Sequence, residues 1–235
     1  MTTSAVPQGP VTRPHRRAAT LENGDHLDQP TFHERYKATP EGFRAELIGG
    51  IVYVPSPLKA DHGSTHADVM AWLGMYRANT PGTRALDNAT DILGSDSEPQ
   101  PDGCLLINGG QTRLDPEGYL VGPPELIVEV ASSTQAYDLY EKRRDYERYG
   151  VGEYLVLLLR ESRAVWFIRQ SPRDQFTEPS ADADHILRSK IFPGLWLDAT
   201  ALLAGNVSQV LQALSAGLAT SEHAAFVAAH QGQAK

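Results

Sequence analysis

Three side chains in this 235-residue sequence are of types that together handle phosphates: Asp102 in Pro101-Asp102-Gly103, Glu129 inside PPELIVEVASS, and Lys142 in Glu141-Lys142-Arg143. Carboxylates are hard oxygen ligands of the kind Mg²⁺ takes, with Mn²⁺ a close substitute. A lysine adds a fixed positive charge and a donor where negative charge develops, or takes a proton from water. The set suits metal-assisted hydrolysis of a phosphodiester, in which a held cation polarises the phosphoryl oxygen and acidifies a bound water. A further acid, Glu46, stands in Glu46-Leu-Ile-Gly-Gly-Ile-Val. No nucleophile elbow, phosphate-binding glycine loop or HExxH helix competes with this chemistry.

Each residue also has a plainer reading. Along 125–131, Leu126, Val128 and Val130 share one strand face, and Ile127 and Glu129 the other. With apolar residues on both faces, Glu129 sits in low-dielectric surroundings and needs a cation, either a metal or a paired arginine. Asp102 either faces a cleft from a strand entrance that Pro101 opens or is the Asp of an Asp-Gly turn. Lys142 is either functional or part of a solvated charge run that pairs with Asp138 four residues earlier. Spacing alone leaves the two readings level, though the heights agree. Glu129 lies about 6–7 Å back from its strand end, and Lys142 about 7 Å into the helix that doubles back over the sheet.

The elements that must position these groups follow from periodicity. Residues 1–30, rich in Pro, Thr, Gly and charge, read as a flexible arm. Gly49-Gly50 between two apolar runs marks a β-hairpin over 44–54. Val69, Trp72, Leu73 and Tyr76 recur at helical spacing in 61–79, before Pro81-Gly82. Strands are expected at 84–93, 101–107, 125–131, 152–159 and 164–169, with an edge strand at 186–190. A charged helix spans 137–149 and ends at Gly150. Residues 199–218 read as one or two Ala/Leu-rich helices that pack on the core or form a dimer seam, and the last 15 or so residues as a frayed tail. The pattern predicts an α/β fold, a mixed β-sheet flanked by helices with an N-terminal hairpin. The domain occupies 31–204, with 205–235 a helix and tail.

Composition sets the bounds. The net charge of −8, from 21 basic and 29 acidic residues, disfavours broad adhesion to nucleic acid and favours a site in which carboxylates hold a cation. Cys104 is the single cysteine, which excludes an internal disulfide framework and a multi-cysteine zinc site. No apolar run approaches a membrane span and no secretory signal opens the chain, so a cytoplasmic setting is expected.

Several stretches resemble a known family. Pro101-Asp102, Glu129 within PPELIVEVASST, Asp138-x3-Lys142-x3-Tyr146 and Tyr149-Gly-Val-Gly-Glu-Tyr154 are similar to the PD-(D/E)XK nuclease superfamily, and most of all to the bacterial Uma-type restriction endonuclease family. Glu46-Leu-Ile-Gly-Gly-Ile-Val and Phe192-Pro-Gly-Leu-Trp-Leu-Asp carry the same likeness, which spans residues 32–204. The resemblance implies a restriction-endonuclease-like core and a Mg²⁺-dependent endonuclease acting on DNA. Asp102 and Glu129 would be the metal ligands, Lys142 supplied from the following helix, and Glu46 an accessory acid. The superfamily's usual lysine position, two residues after the second acid, is Ala131 here. Ser133 stands where the family has proline. A nucleic-acid-binding or assembly module that kept the fold without turnover is the rival class.

Other residues read more modestly. His62 and His66, four apart, have transition-metal spacing without an evident third ligand, so hydrogen-bonded or solvent-facing roles come first. Gln111 and Arg113 are loop candidates for substrate contact. Arg143, Arg144 and Arg148 either meet phosphates or pair with Glu141, Asp145 and Glu147. Trp72, Tyr76, Trp166, Phe167 and Trp196 read as core.

Overall fold

A computed structural model describes residues 20–57, 59–132, 137–171, 174–179 and 185–230. Helix α1 (Gln29–Lys37) leads into the hairpin β1 (Glu46–Ile48) and β2 (Ile51–Tyr53). Gly49 and Gly50 turn it with φ of 58° and 79°, the left-handed pair that a two-residue turn requires. Helix α2 (Ala60–Asn79) is followed by β3 (Thr83–Asp87), β4 (Asp91–Ile92), β5 (Gly103–Ile107), β6 (Arg113–Leu114), β7 (Leu120–Val121) and β8 (Leu126–Ala131). A π-helical turn, Tyr137–Lys142, runs into α3 (Arg143–Tyr149), then β9 (Glu153–Leu158), β10 (Arg163–Ile168), β11 (Ile186–Arg188), β12 (Trp196–Asp198), α4 (Ala199–Leu203), α5 (Val207–Leu218) and α6 (Ser221–His230).

The central sheet has the order β10-β9-β8-β5-β3. Among its pairs β8 and β9 are parallel and the others antiparallel. Parallel neighbours need a crossover, and residues 137–149 supply it, which lays Lys142 across the face of β8. The two faces of β8 divide as its alternation predicts. Leu126, Val128 and Val130 join the core under α2, α4 and α5, whereas Ile127 and Ala131 join the core under α3 with Tyr146 and Tyr154. Helix α2 lies so close over β5 that a Cβ at Gly103 would stand 3.2 Å from Leu73 Cδ1. Gly150, at φ 98°, closes α3 and turns the chain into β9.

Several expectations are corrected. The arm reading fails for residues 20–30. Leu21 is buried against Phe32 and Val52, and Gly24 and Leu27 bond the backbone of the hairpin; residues 1–19 lie outside the described residues. The single strand at 84–93 breaks into β3 and β4, with Asn88 at φ 48° between them. The 137–149 helix opens with a π turn. Strand β11 pairs with β12 in a separate two-stranded sheet rather than edging the central one. Of the expected frayed tail, Ser221–His230 form α6, tied down by buried His223, whose Nε2 meets Thr80 Oγ1 at 3.0 Å and whose Nδ1 meets Leu218 O at 2.9 Å; residues 231–235 lie outside the described residues.

Candidate active site

The expected residues converge. Lys142, buried and 4% exposed, donates from Nζ to Glu129 Oε1 at 2.8 Å and to Glu46 Oε1 at 3.0 Å, with Asp138 Oδ1 at 3.9 Å. Tyr146 of α3 donates its hydroxyl to the same Glu129 oxygen at 2.9 Å. Asp102, one residue before β5, accepts from the Val130 amide at 2.7 Å, one residue past Glu129. Glu46, from the hairpin, also accepts from Gln100 N at 2.7 Å. Asp102, Glu129, Glu46, Asp138 and Lys142 line one cleft of about 720 Å³. The solvated readings of Lys142 and Glu46 are therefore set aside. The Tyr154 hydroxyl, donating to Asp138 O at 3.0 Å, pins the π turn that carries the lysine.

Three carboxylates, Glu129, Glu46 and Asp138, share one ammonium, and Asp102 stands beside them with His62 as its own partner. Burial alone would lower the Lys142 pKa, but Glu129, Glu46 and Asp138 outweigh it and hold the amine protonated. Burial pushes Glu129 upward, Lys142 opposes, and Asp102, Glu46 and Asp138 add to the rise. Burial would also raise Asp102, yet the hydrogen bonds from His62 and Val130, with the charge of His62 and Lys142, bring it below the ordinary carboxylate value. A lysine locked in its charged form donates and orients.

Sequence reasoning underweighted several participants. His62 is buried and its Nε2 stands 3.3 Å from Asp102 Oδ2. His66 Nε2 meets the Asp102 carbonyl at 2.8 Å and Asp87 Oδ1 at 3.2 Å. The four-residue spacing put both histidines on one helix face, and that signal points to Asp102 rather than to a metal. Gln100 carried no signal of its own, its role arising from packing against the distant hairpin, whereas Tyr146 stood in the Asp138-x3-Lys142-x3-Tyr146 stretch, about one helical turn past Lys142. Gln111 and Arg113 do not line the cleft. Arg144 pairs with Glu141 at 2.5 Å, and Arg148 with Asp96 and Asp145, both at 2.6 Å, so these two guanidiniums are engaged. Residues 133–136, including Ser133, lie outside the described residues.

The donor set fits a hard dication. Among the described residues no three His, Cys, Asp or Glu side chains are grouped closely enough to hold a metal ion by themselves. Mg²⁺ does not require such a trio, because it keeps several waters and is commonly bound through one or two carboxylates. Asp102, Glu129, Glu46 and Asp138 bring carboxyl oxygens to one cleft floor, the hard ligand type that a dication takes.

An α/β core whose adjoining central strands present two acids to a helix-borne lysine has the architecture of the restriction-endonuclease-like fold. A family model, Uma2, described as "Putative restriction endonuclease", matches residues 30–200, and the chain belongs to that family. Among solved structures, a "putative nuclease belonging to DUF820" from Anabaena variabilis ATCC 29413 superposes with a TM-score of 0.55 at 15% identity, over 72% of this chain and 97% of that one. At that identity the likeness shows the fold. No curated protein matches the chain.

Proposed function

We propose that the protein is an endonuclease that hydrolyses phosphodiester bonds of DNA with a divalent cation, Mg²⁺ or Mn²⁺, held by Asp102 and Glu129. The observation that carries this reading is the buried Lys142 ammonium, within 3.0 Å of both Glu129 and Glu46 on the floor of a cleft that Asp102 also lines. The ion, when bound, supplies Lewis acidity to the phosphoryl group and to its attacking water. The chain's own residues do the rest. Lys142 Nζ donates toward the phosphoryl oxygens as negative charge develops there. Glu46, bonded to Gln100 N, keeps that ammonium in place. Tyr146 fixes the Glu129 carboxylate, and His62 with the Val130 amide fixes Asp102.

Family membership and the fold support a nuclease; the acids and lysine support the metal and the hydrolytic step. Cleavage of supercoiled plasmid DNA with Mg²⁺ or Mn²⁺, comparing wild type with Asp102→Ala and Lys142→Ala, tests it. Wild type converts the plasmid and both variants lose conversion. Equal conversion by all three overturns the assignment, and salt-dependent DNA binding without any cut moves the protein to the binding-module class.

A further inference from the structure

Above the acids the cleft changes character. Tyr53 at the end of β2 and Tyr137 at the start of the π turn face each other with ring centroids 4.1 Å apart and planes inclined by 37°. Both are half-buried on the cleft wall, alongside Phe43, Val54, Pro55 and Pro57. The Lys142 ammonium lies 5.6 Å from the centre of the Tyr137 ring, so the aromatic pair adjoins the acid-lysine cluster directly. The Tyr137 hydroxyl is buried without a hydrogen-bond partner, an unmet polar group on the wall of the same cleft.

Charge narrows what this wall receives. A protein that grips duplex DNA neutralises on the order of 6–10 phosphates with lysines and arginines. Among the described residues, Arg44 is the exposed cation lining the cleft, Lys142 adds a single buried charge at its floor, and the chain as a whole carries −8. Stacking on aromatic rings is the other way to hold nucleic acid, and it needs a base whose face is free. A cleft of about 720 Å³ is also on the scale of a single small ligand rather than of a double helix.

Building on the nuclease reading, we propose that the cleft takes an unpaired DNA strand, with one nucleobase stacked on the Tyr53–Tyr137 pair and its phosphate presented to Asp102, Glu129 and Lys142. Duplex DNA enters poorly, and the preferred substrate is single-stranded or locally opened. Arg44 contributes one phosphate contact.

The test is fluorescence anisotropy with a labelled 12-nucleotide thymidine strand and with the same strand annealed to its complement, in Ca²⁺, with strand integrity checked on a gel. Wild type binds the single strand at least about ten-fold tighter than the duplex. Tyr53→Leu, which keeps apolar bulk but removes the ring, weakens single-strand binding by about 5- to 150-fold, the range of one base–aromatic stack. Tyr53→Phe stays within about two-fold, and a thermal melt confirms that the Leu variant is folded. Arg44→Ala flattens the slope of log affinity against log salt by about 0.7. The proposal is overturned if duplex binds as tightly as the single strand, if Tyr53→Leu binds like wild type, or if that variant loses both DNA forms equally. An RNA strand bound more than ten-fold tighter than DNA overturns the choice of nucleic acid. Strand preference without any cut in Mg²⁺ removes the hydrolytic reading and leaves this site standing; duplex cutting without strand preference does the reverse.

Discussion

Glu129 and Glu153 are buried glutamates on neighbouring parallel strands of one sheet, three rungs apart, and the fold treats them in opposite ways. Glu153 points into the core beneath α2, where its two oxygens accept from Trp166 Nε1 at 3.1 Å, Ser189 Oγ at 2.8 Å, Lys190 N at 2.6 Å and Ile191 N at 2.9 Å. Every one of those donors is neutral and local to the fold, and together they tie the segment after β11 onto the sheet. Glu129, on the opposite face, meets an ammonium and a phenol but also three other carboxylates. A carboxylate whose needs are met by neutral donors is a structural pin. One set among other carboxylates, at the floor of a cleft, is the one that the proposed nuclease reading assigns to a cation.

The comparison breaks most sharply through activity. Asp102→Ala or Glu129→Gln is expected to lower DNA cleavage on the order of 10³-fold, since each removes a group that acts on developing charge. Glu153→Gln, assayed where the protein is folded, is expected to stay within a few-fold of wild type. Plasmid conversion rates under matched conditions decide it, and a Glu153 variant as inactive as the Glu129 variant would erase the distinction.

Stability inverts the ranking. Glu153→Ala leaves four buried donors unmet at a cost of about 1–3 kcal/mol each before relaxation, so a net loss of about 3 kcal/mol is a conservative expectation. In a chain of this size that lowers the melting temperature by about 6–12 °C. Glu129→Gln keeps an acceptor for Lys142 and Tyr146 and relieves like-charge repulsion, so its melting temperature is expected to match or exceed that of wild type. Calorimetry of both variants gives the readout, and equal losses would mean that the two glutamates do the same work.

How much of this was legible in the sequence depends on how local the cause is. The Gly49-Gly50 turn, the alternation along 126–131 and the Gly150 stop are written in short stretches, and they place Glu46, Glu129 and Lys142. The similar heights of Glu129 and Lys142 follow from two rises per residue. Gln100 and His62 are different: Gln100 caps Glu46 across 54 residues and His62 meets Asp102 from α2, and no local spacing encodes either pairing, whereas Tyr146 follows Lys142 by about one helical turn. The π turn was hidden as well, because 137–149 carries an ordinary charged-helix pattern. Strand β12 and the separate sheet it makes with β11 depend on Glu153 anchoring the intervening loop, a buried polar network that hydrophobic periodicity does not register. The folded segment at 20–30 rests on two apolar residues, Leu21 and Leu27, in a polar stretch.

A third buried acid sharpens the contrast in pH. Asp91, fully buried in β4, has neither carboxylate oxygen hydrogen-bonded, and burial alone drives its pKa well above the ordinary value. The folded protein therefore holds this proton more tightly than the unfolded chain, whose aspartate titrates near pH 4. The resulting stability is fully present below about pH 4 and is lost as pH rises toward the raised folded value, at up to about 1.4 kcal/mol per pH unit inside that window. Asp91→Asn is similar in size and cannot ionise, so it lacks the loss. Urea unfolding of both proteins from pH 4 to pH 8 is expected to give similar stabilities at the acid end and a growing advantage for the Asn variant as pH rises. Taking the difference between the two curves removes the contributions of Glu98, Glu125 and Glu153, whose carboxyls burial also raises. Parallel curves would mean that Asp91 finds a donor in solution, which would move it from the unmet carboxylates to the class that Glu153 defines.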